Sequence, residues 1–206
     1  PFQGVCGRVC PFDREGCSSK MMKFLGRRRR SAHKGDFGHL FILAGALGYT
    51  GAATLSSQAA LLSGSGLVTL GIPKGLHELV AKKLTEVITL PLPETSGKSF
   101  SLKALPKILK KMETADALAL GPGLTRHPET VRLIQRLLPR LTRPTVLDAD
   151  GLNAVSERVE VLKRVKAPLV ITPHPGEMAR LIRKTGRFVQ ANRKKVARDF
   201  SMRYNV

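Results

Sequence analysis

The sequence predicts an α/β fold of three layers (αβα), in which helices cover both faces of a mostly parallel central sheet. Six short apolar runs alternate with amphipathic stretches, and Gly, Pro or Asp residues bound the runs, as expected of buried parallel strands. Strands that alternate with helices are joined by crossover connections, which make neighbouring strands parallel. The predicted strands comprise residues 39–45, 67–72, 86–90, 116–120, 144–148 and 168–172.

The amphipathic stretches between and after these runs are predicted to be helices. The pattern is clearest in the fourth stretch, where Val131, Ile134 and Leu138 recur at helical spacing. Residues 91–101 contain two prolines, a glycine and four Ser or Thr residues, so we expect a surface loop there. The predicted helices comprise residues 51–63, 74–84, 101–112, 128–141, 151–163, 176–184 and 189–203.

The composition is typical of a soluble globular protein, with 42% hydrophobic and 24% charged residues in a chain of 206. The longest apolar stretch, residues 40–47, is far shorter than the roughly 20 residues that a membrane-spanning helix needs. The first residues contain no hydrophobic signal core followed by a small-residue cleavage site. We therefore expect a cytoplasmic protein with no membrane partner.

The charge is strongly basic, since 35 Lys and Arg residues against 15 Asp and Glu residues give a formal net charge of +20. Such a surface attracts polyanions and steers small phosphorylated ligands, so a nucleic-acid-binding module is one hypothesis. Against it, no aromatic residues interleave with the basic runs, and no nucleic-acid-binding motif is present. We expect a solvated basic face without a specific nucleic-acid partner. Much of the excess lies in two clusters: Lys20, Lys23, Arg27, Arg28, Arg29, Arg30 and Lys34, and then Arg180, Arg183, Lys184, Arg187, Arg193, Lys194, Lys195, Arg198 and Arg203.

The cysteines Cys6, Cys10 and Cys17 all lie near the N-terminus, and their odd number argues against a disulfide framework. The string from Cys6 to Cys10 resembles the start of an iron–sulfur segment, but too few cysteines follow for a complete cluster site. We interpret residues 1–26 as a linker or foreign N-terminal segment, and residues 27–206 as the functional domain. The histidines show no ligand spacing with each other or with the cysteines, so no metal site is expected.

Ligands of sheets of this kind bind where the carboxyl ends of the strands meet. After the first strand, residues 45–53 carry three glycines and run directly into a helix, whose N-terminal N–H groups can hold an anion. After the fourth strand, the run Gly121-Pro122-Gly123-Leu124 forces a sharp turn that exposes backbone amides. A plain structural turn explains either segment equally well.

The fifth and sixth strands end in polar side chains. Asp148, Asp150 and Asn153 follow the fifth strand, where they are costly unless they are hydrogen-bonded or used, although one of them could simply cap the next helix. His174 follows the sixth strand between two prolines that fix the backbone, and Glu177 lies in the first turn of the next helix. We expect at least one of Asp148, Asp150 and Asn153 to act at a functional site. We also expect His174 to contact a ligand.

Taken together, six motifs are more specific than any one of them: His33-Lys-Gly-Asp-Phe-Gly38, residues 45–53, Leu61-Leu-Ser-Gly64-Ser-Gly66-Leu-Val68, Gly121-Pro-Gly-Leu124, Asp148-Ala-Asp-Gly-Leu-Asn153 and Thr172-Pro-His-Pro-Gly-Glu177. Their order and spacing resemble the NAD(P)H-hydrate dehydratase family over residues 27–206. The resemblance implies a ribokinase-like fold and a lyase that repairs damaged cofactor. In that family ATP or ADP, with Mg²⁺ expected, phosphorylates the hydroxyl group of a hydrated nicotinamide ring, and loss of the phosphate regenerates NADH or NADPH.

Carried over motif by motif, the resemblance implies that Ala52, Gly123 and His174 contact the NAD(P)H hydrate, a small dinucleotide substrate. Asn153 and Glu177 are implied as neighbours of the same site. One small departure is Gly151, where the family usually has Ala.

A larger departure concerns the catalytic base. The family continues with a Leu-Lys-Gly segment and a Gly-Ser-Gly-Asp-like helix start, whose aspartate is that base, but no Gly-x-Gly-Asp occurs in these 206 residues. We therefore expect a fold incomplete at the C-terminus, a catalytic aspartate beyond Val206, and a chain that is inactive alone. A complete protein would be a homo-oligomer. Two alternatives stay open: a ribokinase-like kinase of a small alcohol, and the basic nucleic-acid-binding module.

Overall fold

The computed structural model describes residues 28–206, and the chain divides into two units, Pro1–Ala32 and His33–Val206. In the first unit the backbone N–H of Ala32 donates a hydrogen bond to the carbonyl of Arg29, at 3.1 Å. The interpretations of Cys6, Cys10 and Cys17 and of residues 1–26 lie outside the described residues. All strands and helices of the described residues belong to the second unit.

The second unit is built on one sheet of six strands, and every neighbouring pair is parallel. Each strand lies where the sequence predicts one, with ends that differ by at most two residues. The strands are β1 (His39–Leu43), β2 (Leu67–Pro73), β3 (Ile88–Leu92), β4 (Ala117–Leu120), β5 (Thr145–Leu147) and β6 (Leu169–Ile171). The predicted three-layer α/β fold is therefore confirmed.

Eight α-helices of the described residues connect the strands or follow them. They are α1 (Thr50–Leu62), α2 (His77–Ala81), α3 (Leu105–Met112), α4 (Pro128–Leu137), α5 (Ala149–Val155), α6 (Pro175–Ile182), α7 (Gly186–Ala191) and α8 (Arg193–Tyr204). Short 3₁₀ turns precede α2 and α3 and follow α4 and α5, at Lys74–Leu76, Leu102–Ala104, Leu138–Arg140 and Val159–Arg164. Among the described residues no helix is long and apolar enough to cross a membrane.

The strand order β3-β2-β1-β4-β5-β6 places β1 and β4 at the centre of the sheet. From β1 the chain moves outward through β2 to β3, and then returns to β4 on the other side of β1. The connections that leave β1 and β4 therefore run in opposite directions. In open α/β sheets, such a switch point opens a crevice at the carboxyl ends of the two strands, where ligands bind.

Both faces of the sheet are buried, as the central strand β1 shows. Successive residues of a strand point to opposite faces, so Phe41 belongs to one core cluster and Ile42 to the other. Helices α1 and α2 cover the face of Ile42 through Ala53 and Val80. The remaining helices cover the face of Phe41, with buried contacts from Ile108, Leu133, Leu152, Met178, Val189 and Phe200.

Three predictions about local structure are wrong in part. Residues 151–163 do not form one helix, because α5 ends at Val155 and only the 3₁₀ turn Val159–Arg164 follows it. Residues 189–203 do not form one helix, because the backbone of Asn192 leaves helical geometry (φ −127°, ψ 26°) and separates α7 from α8. Residues 91–101 are not simply a surface loop, because Phe100 and the hydroxyl-bearing Thr95 and Ser99 are buried. Their polar composition is compatible with burial since the Thr95 and Ser99 hydroxyls hydrogen-bond each other at 2.8 Å.

Candidate active site

The four segments singled out in the sequence lie at one edge of the sheet. Residues 45–53 follow β1, residues 121–124 follow β4, residues 148–153 follow β5 and residues 172–177 follow β6. Because all six strands are parallel, these four segments meet at the carboxyl edge. The prediction that they share one edge of the sheet is confirmed.

The closest approach occurs at the switch point between β1 and β4. The backbone N–H of Gly45 donates to the carbonyl of Pro122 at 2.8 Å, which joins the two loops. Gly123 has a positive φ of 67°, and a Cβ there would lie 2.7 Å from the Cβ of Tyr49 and 3.2 Å from that of Ala52. The structure thus brings together Ala52 and Gly123, two of the implied substrate contacts. Glycine is favoured here because a side chain would collide with Tyr49, the N-cap residue of α1, and would crowd Ala52 in its first turn.

Close packing continues between the ends of β4 and β5. A Cβ on Gly121, whose φ is 133°, would lie 1.8 Å from the carbonyl oxygen of Asp148. A Cβ on Gly151 would lie 2.6 Å from Leu147 Cδ1 and 3.1 Å from the carbonyl oxygen of Leu120. The departure from Ala at Gly151 therefore fits this chain, because its own Leu147 occupies the space that an alanine methyl group would need.

The carboxylates that follow β5 are hydrogen-bonded within the protein. Asp148 occupies the N-cap position of α5, but no side-chain capping bond forms, and its Oδ1 accepts from the Thr172 hydroxyl at 2.7 Å. Asp150 accepts from the backbone N–H of Thr125 at 3.0 Å and from the Asn153 amide at 3.0 Å. These bonds connect the loops that follow β4, β5 and β6, so both carboxylates hold the edge in shape.

Asn153 links α5 to α6, because its Oδ1 accepts from Arg180 Nε at 3.0 Å while its amide donates to Asp150. Both polar atoms of the side chain are thus engaged by protein groups. Asn153 also lines a groove on the outer side of α4 and α5. Its position favours a role in orienting neighbouring side chains.

His174 and Glu177 form a capping box at the start of α6. Glu177 Oε2 accepts from the backbone N–H of His174 at 2.9 Å, and its Oε1 lies 3.2 Å from His174 Nε2. The backbone N–H of Gly176 donates to His174 Nδ1 at 3.0 Å, so Nδ1 is an acceptor and the ring proton of the neutral form lies on Nε2. The imidazole is 62% exposed and the carboxylate 8%. The ring is therefore held at the edge of the sheet while much of it faces solvent.

Sequence reasoning missed the contribution of the loop after β3. The backbone N–H of Leu47 donates to the carbonyl of Lys98 at 3.1 Å, which ties this loop to the loop after β1. Glu94 accepts from the backbone N–H of Gly75, after β2, at 2.8 Å. The rule that drew attention to the other strand ends applies here too, but the Ser- and Pro-rich composition indicated only a loop. Tyr49, 54% exposed beside Gly123, was also missed.

A family model for NAD(P)H-hydrate dehydratase matches residues 40–206, which include nearly the whole sheet and all four edge segments. The chain belongs to this family. It is 45% identical to the bifunctional NAD(P)H-hydrate repair enzyme Nnr of Moorella thermoacetica over 182 residues, which are 88% of this chain and 34% of that protein. It is 37% identical to the Nnr enzyme of Thermofilum pendens, over 81% of this chain and 32% of that protein. The chain thus spans about a third of these relatives.

Solved structures agree with this membership. The ADP/ATP-dependent NAD(P)H-hydrate dehydratase of Bacillus subtilis, co-crystallised with ATP/Mg²⁺, is 26% identical with a TM-score of 0.67, over 87% of this chain and 60% of that one. A hypothetical protein of Streptococcus mutans, 20% identical, shares the fold with a TM-score of 0.71 over 88% of this chain and 61% of that one. A ribokinase-like superfamily protein of Enterococcus faecalis, 19% identical, also shares the fold, with a TM-score of 0.67 over 86% of this chain and 58% of that one. The predicted ribokinase-like fold is therefore confirmed.

The family implies a nucleotide with Mg²⁺, but the carboxylates of the edge are poorly arranged to bind this ion. No group of three His, Cys, Asp or Glu side chains within residues 28–206 could hold a metal ion. Asp148, Asp150 and Glu177 each accept hydrogen bonds from protein groups already. These residues therefore do not fit a Mg²⁺ site.

Proposed function

We propose that this chain supplies the substrate-binding edge of an ADP/ATP-dependent NAD(P)H-hydrate dehydratase, which returns hydrated NADH or NADPH to the intact cofactor. Membership of the family supports the reaction class. The activity for which the relatives are named is part of what we propose for this chain. A cytoplasmic location and homo-oligomeric assembly belong to the same proposal. Fractionation and sedimentation of the protein test these two points.

One observation carries the proposal: Ala52 and Gly123 meet at the switch point, and His174 lies at the end of β6 on the same edge. A dinucleotide needs an extended surface that presents backbone atoms and few side chains, and close approach of a ligand to the backbone favours Ala and Gly. The start of α1, a helix of 13 residues, lies beside this contact and offers N–H groups to a phosphate.

The roles of the individual residues follow from their geometry. Ala52 and Gly123 leave room for the ligand, and Tyr49 offers an exposed ring next to them. The single ring N–H of His174, on Nε2, is shared between Glu177 Oε1 and a polar group of the substrate, and Glu177 Oε2 accepts from the backbone N–H of His174. Asn153 holds α5 against α6 by accepting a hydrogen bond from Arg180.

Replacement of His174 by Ala tests the assignment. Loss of one neutral hydrogen bond costs about 0.5–1.5 kcal/mol, so the Kd for NADPH hydrate should rise roughly two- to tenfold. Isothermal titration of NADPH hydrate into both proteins measures this change. Equal affinities in two folded proteins would remove His174 from the site.

His127→Ala is a matched control, because His127 also precedes a proline at the start of a helix. Its Nδ1 accepts from the backbone N–H of Glu129 at 3.2 Å, as His174 Nδ1 does from that of Gly176 at 3.0 Å. Both substitutions therefore remove the same type of helix cap. Only His174→Ala should weaken binding of the hydrate, and a similar loss in both variants would indicate a general effect of the lost cap.

A further inference from the structure

A second concave surface is lined by residues of α4, of α5 and of the segments beside them, and neither Ala52 nor Gly123 lines it. Helix α4 and the 3₁₀ turn Val159–Arg164 border a groove of about 990 Å³. Five arginines line it, and they come from the loop before α4, from α4 itself and from the segment after α5: Arg126, Arg132, Arg136, Arg158 and Arg164.

None of these arginines forms an ion pair within the described part of the chain. The ion pairs found there, within 4.0 Å, involve other residues, and no hydrogen bond from the five guanidinium groups is observed. Two glutamates, Glu157 and Glu160, also border the groove, and the Glu160 carboxylate lies 2.6 Å from Lys163 Nζ and 3.8 Å from Arg203. It also accepts from the Tyr204 hydroxyl at 3.3 Å. Glu160 is therefore engaged by residues other than the five arginines, and no ion pair of Glu157 with them is found among the described residues.

Five arginines against the two carboxylates of the lining, Glu157 and Glu160, leave an excess of three positive charges around the groove. Arg132 and Arg136 are four residues apart on α4, a spacing at which like charges repel each other. A concave wall focuses the potential of such charges and raises the local concentration of anions. The planar guanidinium group binds phosphate through two parallel N–H donors, so several arginines around one groove suit neighbouring phosphates.

We propose that this groove binds a small anion with two or more adjacent phosphate groups, at a site that shares only Asn153 with the four segments of the carboxyl edge. The lining contains no aromatic ring, so it offers no stacking surface for the bases of a single-stranded nucleic acid. A second copy of this chain would place like charges against each other. Asn153 borders the groove and contacts Arg180 on α6, which connects the groove to the edge where His174 lies.

Titration of inorganic tripolyphosphate into the 206-residue chain tests the site. At about 100 mM salt, where surface charges more than roughly 10 Å apart are screened, we expect saturable binding of one tripolyphosphate per chain. The variant Arg132→Gln/Arg136→Gln/Arg164→Gln should bind at least about tenfold more weakly. The substitutions remove no hydrogen bond of the described residues, so the fold should be retained, and circular dichroism checks this point.

A control variant removes the same charge elsewhere: Arg187→Gln/Arg193→Gln/Lys194→Gln, on the outer surfaces of α7 and α8. Its Kd should stay within about twofold of that of the unmodified chain, because these side chains lie outside the groove. Equal weakening in the two variants would mean that diffuse surface charge attracts the anion, and would overturn the proposal. Absence of saturable binding to the unmodified chain would overturn it as well.

Chemical modification locates the anion independently. Phenylglyoxal reacts with accessible guanidinium groups, and mass spectrometry measures how much of each arginine has been modified. Tripolyphosphate should protect Arg132, Arg136 and Arg164 while Arg187 stays reactive. Sulfate at equal ionic strength should protect them less, since it lacks adjacent phosphates. Protection by duplex DNA at lower concentration than by tripolyphosphate would assign the groove to nucleic acid and overturn the proposal.

Discussion

At the scale of the residue, Gly123 determines how close α1 can come to the loop after β4. Its φ of 67° lies in the left-handed region, which costs an L-residue about 1–2 kcal/mol. A Cβ on Gly123 would also lie 2.7 Å from Tyr49 Cβ, so steric overlap would add to this energetic cost. Gly48 has a similar φ of 84°, but a Cβ there would meet no atom within 4 Å.

These two glycines allow backbone strain to be separated from steric contact. Gly48→Ala should lower the free energy of unfolding by the strain alone, about 1–2 kcal/mol. Gly123→Ala should lower it by about 1–3 kcal/mol more, since overpacking adds to the strain, and it should also weaken the binding of NADPH hydrate. Urea unfolding and calorimetric titration of both variants measure these changes. If the two variants lose the same stability and affinity, the contact with Tyr49 is unimportant.

The edge segments could be predicted from the sequence because the rule that ligands bind after parallel strands needs only strand positions. The partners of individual side chains could not. Thr172 is distant in sequence from Asp148, so nothing local indicated that this carboxylate accepts the threonine hydroxyl instead of capping α5. The position of Asn153 between Asp150 and Arg180 likewise depends on how α5 packs against α6.

At the scale of the element, His39 at the start of β1 contacts both the segment before β4 and the neighbouring strand β2. Its Nδ1 lies 3.0 Å from the carbonyl of Thr114, which can only accept, so Nδ1 carries the proton. Its Nε2, 2.8 Å from the hydroxyl of Thr69 on β2, then accepts in the neutral ring. Burial, and next the charge of Lys111, hold the pKa of His39 below its usual value of 6.5.

A lowered pKa means that the folded protein binds fewer protons at His39 than the unfolded chain does. This contribution to stability is present above pH 6.5 and is lost as the pH falls through the folded-state pKa. The melting temperature should therefore drop between about pH 7.5 and about pH 5.5. In His39→Gln, which cannot titrate, the drop should be smaller, and an equal drop in both proteins would show that His39 does not cause it.

The strands were predictable as elements because both faces of the sheet are covered, which makes each strand a continuous apolar run. The break between α7 and α8 was not, because the residues around Asn192 have a sequence compatible with one continuous helix. There the Asn192 amide donates to the carbonyl of Phe188 at 2.9 Å, and Thr185 caps α7 through the N–H of Phe188 at 3.2 Å. Such local side-chain bonds to the backbone compete with helix continuation.

At the scale of the whole molecule, the sheet of the described domain has two end strands, β3 and β6. Strand β6 lies at one end of the sheet, and Val170 on it is 56% exposed. An apolar strand edge of this kind promotes association between chains. The 206 residues contain no Gly-x-Gly-Asp, and none of the carboxylates at the edge follows a glycine turn of that kind.

These features lead to a prediction about a polypeptide limited to these 206 residues. Phosphoryl transfer depends on positioning and on electrostatic stabilisation of the transferred group. In the family, the Gly-Ser-Gly-Asp-like helix start provides both the positioning and the electrostatic stabilisation. A polypeptide of these 206 residues should therefore bind NADPH hydrate without ATP- or ADP-dependent turnover. Fusion to a family C-terminal segment that carries the motif should restore recovery of NADPH, measured by its absorbance.

Replacing the aspartate of the fused segment by Asn is the control, because it keeps the added residues and removes the expected base. That variant should bind the hydrate as the active fusion does and recover no NADPH. If the 206-residue polypeptide itself shows ATP-dependent turnover, the catalytic base lies among Asp148, Asp150 and Glu177, and their hydrogen bonds to Thr172, Thr125 and His174 must rearrange during the reaction. Single Asn or Gln substitutions of the three carboxylates would then identify it.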